Sequence, residues 1–210
     1  MAKLFLGTRE VTPVFPMSGK YSLLQRIKDD SNNEIGTVSG YVVDGNNNEL
    51  AVVCLDARYR GSGQLLTTNV AVEGAPELNN WATRFWGSYK VSATENCDLI
   101  SNFCTQEGYA SSAVDFCRNK SFVIGGVTYY GQAPTAKEVY DIICNKSAID
   151  SADITASTYP SLSFGSARNM LTSSVYVGNY ILFFNTGGRM ADAYITATNF
   201  VAPVIELPNR

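Results

Sequence analysis

From Met170 to the end of the chain, short apolar runs alternate with Gly- and Asn-rich breaks, a pattern too interrupted for a helix. Met170–Tyr176, Asn179–Phe184 and Tyr194–Thr196 are rich in aromatic and branched residues, and Phe200–Ile205 closes the series. Such runs separated by turn residues read as consecutive antiparallel strands. The turn Asn185-Thr186-Gly187-Gly188 suits a hairpin, because glycine reaches the positive φ that tight loops need. A small C-terminal antiparallel sheet is therefore expected, and this sheet is expected to carry the function by binding rather than by catalysis.

Upstream, Thr37–Val43 and Leu50–Leu55 read as two strands around the turn-rich loop Asp44–Glu49. Residues 56–95 read as loop, with Trp81 and Trp86 embedded. Apolar residues then recur at helical spacing over Asp98–Gln106 (Leu99, Ile100, Phe103, Cys104) and Ser111–Asn119 (Ala113, Val114, Cys117). Thr135 and Glu138 form a Thr-x-x-Glu capping box, which predicts a helix start. Its apolar face, Val139, Ile142, Ile143 and Ile149, runs towards residue 148, with Tyr140 and Cys144 widening it. These elements predict an α+β domain over 36–210, with two or three helices. Residues 1–35 differ. Leu4-Phe5-Leu6 and Val11-Thr12-Pro13-Val14-Phe15-Pro16 are apolar and proline-broken, so they predict an extended attachment arm, docked on a partner through Leu4, Phe5, Val11, Val14 and Phe15. Tyr21–Lys28 within it reads as a strand or one helical turn.

Composition narrows the chemistry. The 210 residues contain no histidine, which removes Ser/His/Asp and Cys/His catalysis and histidine metal sites. The five cysteines form no CxxC and read as reduced core residues. No metal and no cofactor is expected. A net charge of -3, a pI near 5.0 and scattered Lys and Arg supply no electrostatic footprint for nucleic acid. Leu4-Phe5-Leu6-Gly7 is too short for the apolar core of a secretory signal, and no run approaches the roughly 20 apolar residues of a membrane span. Synthesis and folding in a cytoplasm, without membrane insertion, are the expectation.

The order of these landmarks over about Gly36 to Ile205 resembles the C-type-lectin-like domains of bacterial and phage surface proteins. The similarity is to the Fibrobacter succinogenes major paralogous type and its adhesin relatives, and more distantly to phage tropism determinants and the variable proteins of diversity-generating retroelements. The matching stretches are the hairpin Gly40–Gly45, Trp86-Gly87, Thr94-Glu95-Asn96, and Ala110–Cys117 with Gly125-Gly126-Val127-Thr128. Ala133–Glu138 resembles the family's Leu-Pro-Thr-x-x-Glu helix start. Leu171–Tyr176 resembles its Trp-Ser-Ser-Thr-Glu-Tyr strand, and Val201–Val204 its Val-Arg-Pro-Val ending. The chain departs from that pattern at Leu171 (tryptophan in the family), Val175 (glutamate) and Ala202 (arginine). A Glu–Arg pair lost from both ends together would account for the last two. The calcium-and-sugar motifs Glu-Pro-Asn and Trp-Asn-Asp of animal lectins are missing, which argues against calcium-dependent sugar binding. The opening Met1–Gly7 with Val11–Val14 resembles virion proteins of gut Bacteroidetes viruses.

The resemblance implies a non-enzymatic virion structural protein, a head or tail fibre or decoration. Residues 1–35 would grip other capsid or tail proteins, and the lectin-like domain would bind a host-surface glycan or protein. Fibre analogy adds a homo-oligomer, with a trimer as the common form. In this fold family the exposed C-terminal sheet makes the ligand surface, which points to Tyr176, Asn179, Tyr180, Arg189, Asp192 and Tyr194. Tyrosine and asparagine suit such a face. Phe183, Phe184 and Ile195 read as core. Two other classes stay open: a bacterial cell-surface adhesin, and an enzyme of the formylglycine-generating type, which would need an exposed pair such as Cys97 and Cys104.

Overall fold

The loop after Val43 shows how local chemistry starts this fold. The Asp44 carboxylate accepts the Asn46 and Asn48 N–H groups at 2.9 and 2.8 Å, and Asn47 takes φ +63°. This closes a hairpin between β4 (Glu34–Val43) and β5 (Glu49–Leu55), in the register Val42↔Leu50 and Tyr41↔Ala51. The computed structural model describes residues 4–6, 9–11, 19–72, 92–159, 161–162, 169–175, 179–185 and 189–210. Within them lie a short hairpin β1 (Leu4–Leu6) and β2 (Arg9–Val11), then β3 (Arg26–Lys28), which pairs with β4. Leu4, Phe5 and Val11 of the expected arm belong to that first hairpin, whereas Val14 and Phe15 fall outside the described residues.

Residues 19–35, read from the sequence as the rest of the arm, belong to the fold. Ile27 and Ile35 are buried, Lys20 N–H donates to the Asn209 carbonyl, and Leu24 N–H donates to Val38. The strand signal of Arg-Ile-Lys is weak because only Ile27 faces the core, so pairing with β4 decides its fate.

Three helices follow. The first, α1 (Ala93–Glu107), starts about five residues before its apolar periodicity becomes visible. Ser92 and Glu95 form a capping box there, and Gly108 ends the helix at φ +70°. Ser111 caps α2 (Ser112–Arg118), and Thr135 and Glu138 cap α3 (Ala136–Ala152) as the sequence predicts. Between α2 and α3, β7 (Ser121–Ile124) and β8 (Val127–Tyr130) join through Gly125 and Gly126 at φ +60° and +77°. Two consecutive positive φ values define the hairpin turn that matches strand twist. The Asp30 carboxylate accepts both glycine N–H groups, at 2.7 and 2.8 Å.

The remaining strands complete two sheets. These are β6 (Gly61–Gly63), β9 (Asn169–Val175), β10 (Tyr180–Asn185), β11 (Met190–Tyr194), β12 (Asn199–Val201) and β13 (Val204–Pro208). The order of one sheet is β11-β10-β9-β12-β6 and of the other β13-β5-β4-β3. The α+β class holds, but the C-terminal segment is not one antiparallel sheet. β12 lies parallel to β9 and antiparallel to β6, and β13 crosses over to pair with β5. Ala202-Pro203 makes that crossing, with the Pro203 carbonyl accepting Leu55 N–H at 3.0 Å.

Alternation splits each sheet between two cores. Met170, Leu182, Phe184 and Phe200 join Val139, Ile142 and Val52, whereas Leu171, Ile181, Ile195 and Val201 join Ile100, Val114 and Cys117. A third cluster covers the other face of β4, β5 and β13 with Phe122 and Tyr59. Phe184 and Ile195 are core as expected, and Phe183 is half-buried. On α3, Tyr140 and Cys144 turn outward rather than widening the apolar face.

Candidate functional site

The edge of the five-stranded sheet brings together half of the residues singled out from the sequence. Tyr180 and Tyr194 are direct partners in the β10–β11 register, so their side chains leave the sheet on the same face. Their rings lie 4.7 Å apart at 30°, and Tyr194 is 52% exposed. A hydrogen bond to Tyr194 lifts the Tyr180 phenol above its ordinary value. Asn179 precedes the pair. Its side-chain N–H donates to Asn69 Oδ1 at 2.9 Å, and its carbonyl accepts Ile195 N–H at 2.8 Å. An amide pair thus borders an aromatic pair.

Asp192 is exposed two residues from Tyr194, on the same face of β11. Arg189 is also exposed but sits at the far end of the strand, where its backbone N–H donates to Asn185 Oδ1 at 3.0 Å. The structure therefore unites Asn179, Tyr180 and Tyr194, sets Asp192 beside them and leaves Arg189 apart. Tyr176 lies outside the described residues, as do Trp81 and Trp86. Asn69 and Tyr140 were not expected. Tyr140 leaves α3 42% exposed and meets the ring of Phe184 at 6.3 Å, on the Tyr180 face of β10. Asn69 lies 110 residues from Asn179, in a stretch without periodicity, and no local signal marks it.

Beneath this edge the strand Thr172-Ser173-Ser174 is buried and fastens the helices. Ser174 Oγ accepts the Ala136 N–H at 3.0 Å, Ser173 N–H donates to the Pro134 carbonyl at 2.7 Å, and Thr172 Oγ1 donates to the Leu182 carbonyl at 2.6 Å. Its resemblance to the family's Ser-Ser strand thus falls on a structural joint. Leu171, Val175 and Ala202, the three departures, are all buried. Val175 and Ala202 sit in different apolar clusters, so they do not replace a pair across one contact.

A second concave region, a groove of about 270 Å³, lies between Asn32–Glu34, Asp56, Arg58, Ile154 and Thr155. Its charges are spent on structure. Asp56 takes Arg26 at 2.6 and 2.8 Å, and Arg58 donates to the Glu34 carbonyl.

The cysteines offer no reactive pair. Cys54, Cys97, Cys104 and Cys117 are buried, and Cys144 alone of the five is exposed. Burial pushes the Cys54 thiol up to about 11 and the Cys97 thiol up to about 12. Cys97 is also engaged with Ala133, so Cys97 and Cys104 cannot serve as an exposed thiol couple. Among the described residues no three acidic or cysteine side chains gather in a way that could hold a metal ion, and no helix is long and apolar enough to cross a membrane. No protein-family model matches the chain, and no curated protein or solved structure matches it either.

Proposed function

We propose that this chain is a non-enzymatic virion structural protein, a fibre or decoration, that displays a C-type-lectin-like domain for adhesion to a host surface. The observation that carries the binding half is the Tyr180–Tyr194 pair, with Tyr194 exposed, beside the Asn179–Asn69 amides. Stacked phenols give rigid amphipathic area at low entropic cost, and amides supply adaptable hydrogen bonds. Residues 19–35, the later part of the expected arm, are held on the other sheet, where Tyr21 N–H donates to Asn209 Oδ1 at 2.9 Å. Attachment and display would then use different sheets. Arm residues 1–18 would grip capsid or tail proteins, and copies of the chain would associate as a homo-oligomer, as fibres do.

Two measurements test this reading. Antibodies raised against the chain should label purified virions, and labelling of a bacterial envelope instead would favour the cell-surface adhesin. The purified protein should bind host cells or a glycan array, and Tyr180→Ala with Tyr194→Ala should abolish that binding. Binding left intact in the double variant would move the ligand surface elsewhere. The burial of four cysteines weighs against the formylglycine-generating reading.

A further inference from the structure

Glu206 stands on the inward face of β13, opposite Val52, at the first turns of two helices. Its Oε1 accepts the Ala93 N–H at 2.8 Å, and its Oε2 accepts the Thr94 N–H at 2.9 Å and the Thr94 hydroxyl at 2.5 Å. Orphan N–H groups at a helix start favour an ionised acceptor. Glu138 reaches the same spot from the first turn of α3, within hydrogen-bonding reach of the Glu206 carboxyl. It is fully buried, and its Oε2 accepts the Thr135 N–H at 2.6 Å. Its Oε1 meets no donor.

Among the described residues, none supplies a balancing charge. The Lys137 ammonium, next along α3, bonds Asp141 and the Tyr41 carbonyl. Arg118 of α2 is held by Asp98, Ser101 and Gln132. Glu95 of α1 accepts from Ser92 and Gly45, and Cys97 of α1 is a buried, neutral thiol. The facing strand β9 brings only hydroxyls. Two ionised carboxylates this close and this dry would each bear an uncompensated charge.

We propose that Glu138 and Glu206 share one proton, with Glu138 the neutral partner, and that this proton latches the first turns of α1 and α3 to β13. The proton occupies Glu138 Oε1, the atom otherwise without a partner, and is donated to the Glu206 carboxylate. Burial, and then the Glu206 charge, raise the Glu138 carboxyl well above the ordinary carboxylate range, in keeping with that arrangement.

The sign follows from linkage. Between the ordinary glutamate range and the raised folded-state value, the folded chain holds a proton that the unfolded chain has released. The latch is complete at low pH and is lost as pH rises through that window, where the unfolding constant grows about tenfold per pH unit.

Urea unfolding of the full chain from about pH 5 to about pH 9 should show this slope. Glu138→Gln should flatten it, because the amide donates to Glu206 without titrating. Infrared spectra of protein labelled with ¹³C on its glutamate carboxyls should contain a protonated-carboxyl band at neutral pH that Glu138→Gln removes. Should Glu138→Gln fail to fold, Glu206→Gln should narrow the pH window of the slope, because burial still raises the Glu138 carboxyl while the Glu206 charge is gone, and the labelled band in the unsubstituted protein decides by itself. Absence of that band at neutral pH, or a variant that folds and keeps the full slope, overturns the latch.

Discussion

The two sheets of this protein are built from similar residues and are covered to different extents. The four-stranded sheet is covered on both faces, and its open end is clasped. Buried Asn209 donates to Glu49 Oε1 at 2.6 Å and to the Glu49 carbonyl at 3.0 Å, and it accepts from Tyr21 and Lys20. The five-stranded sheet is as dry at β9 and β12 but thins towards β11, where Asp192 and Tyr194 face solvent. An edge strand needs some guard against pairing with other chains, and the charge of Asp192 provides one. The lesson is that burial on both faces turns a sheet into scaffold, while one uncovered edge leaves side chains free to recognise something.

That contrast can be broken or sharpened by substitution. The largest effects should come from Leu55→Ala in the four-stranded sheet and Leu182→Ala in the five-stranded one, each fully buried. Each should lose about 2–5 kcal/mol in urea unfolding. A much smaller loss for Leu182 would mean that the outer sheet is only loosely packed. Asn209→Ala should cost about 1–3 kcal/mol, because Glu49 and the Tyr21 N–H are left without their partner. Hydrogen exchange should report the opening at residues 20–24 rather than in β10.

Tyr194→Ala should change stability by less than about 0.5 kcal/mol while weakening surface binding at least about tenfold, measured on cells or immobilised glycan. Equal loss of stability and binding would make the tyrosine pair structural. The smallest perturbation is alkylation of the native protein near neutral pH, which should place one label, on Cys144, with no change in melting temperature. Labelling of Cys97 or Cys104 under those conditions would contradict their burial.

Several elements were legible because their signals span only a few residues. The β4–β5 hairpin announced itself through alternation and the Asp44 loop, and α3 through Thr135 and Glu138. The β6 strand, Gly61-Ser62-Gly63, gave no such sign, because its glycines answer to packing rather than to strand propensity. A Cβ at Gly63 would come within 2.8 Å of the Ala113 backbone, and one at Gly61 within 2.5 Å of the Phe116 ring. Strand β3 was ambiguous for a related reason, since a single buried residue carries its pattern. At the candidate site, Tyr180 and Tyr194 were singled out because the family resemblance points to exposed residues of the C-terminal sheet, a setting that tyrosine suits. Their direct pairing, and the partnership of Asn179 with Asn69, needed the register and a contact across 110 residues.

By itself, then, the sequence determined the β4–β5 hairpin with its Asp44 turn and the capped start of α3, together with the exclusion of histidine chemistry. Those properties follow from periodicity, capping and backbone freedom, all settled within a turn or a strand. Only the tertiary structure decided that β12 joins β9 in parallel and that β13 leaves for the other sheet. It alone brought Glu206 to the start of α1, a helix 113 residues away in the chain. Such choices depend on which surfaces can be buried together and which polar groups then find partners, a sum over the whole molecule that no local pattern contains.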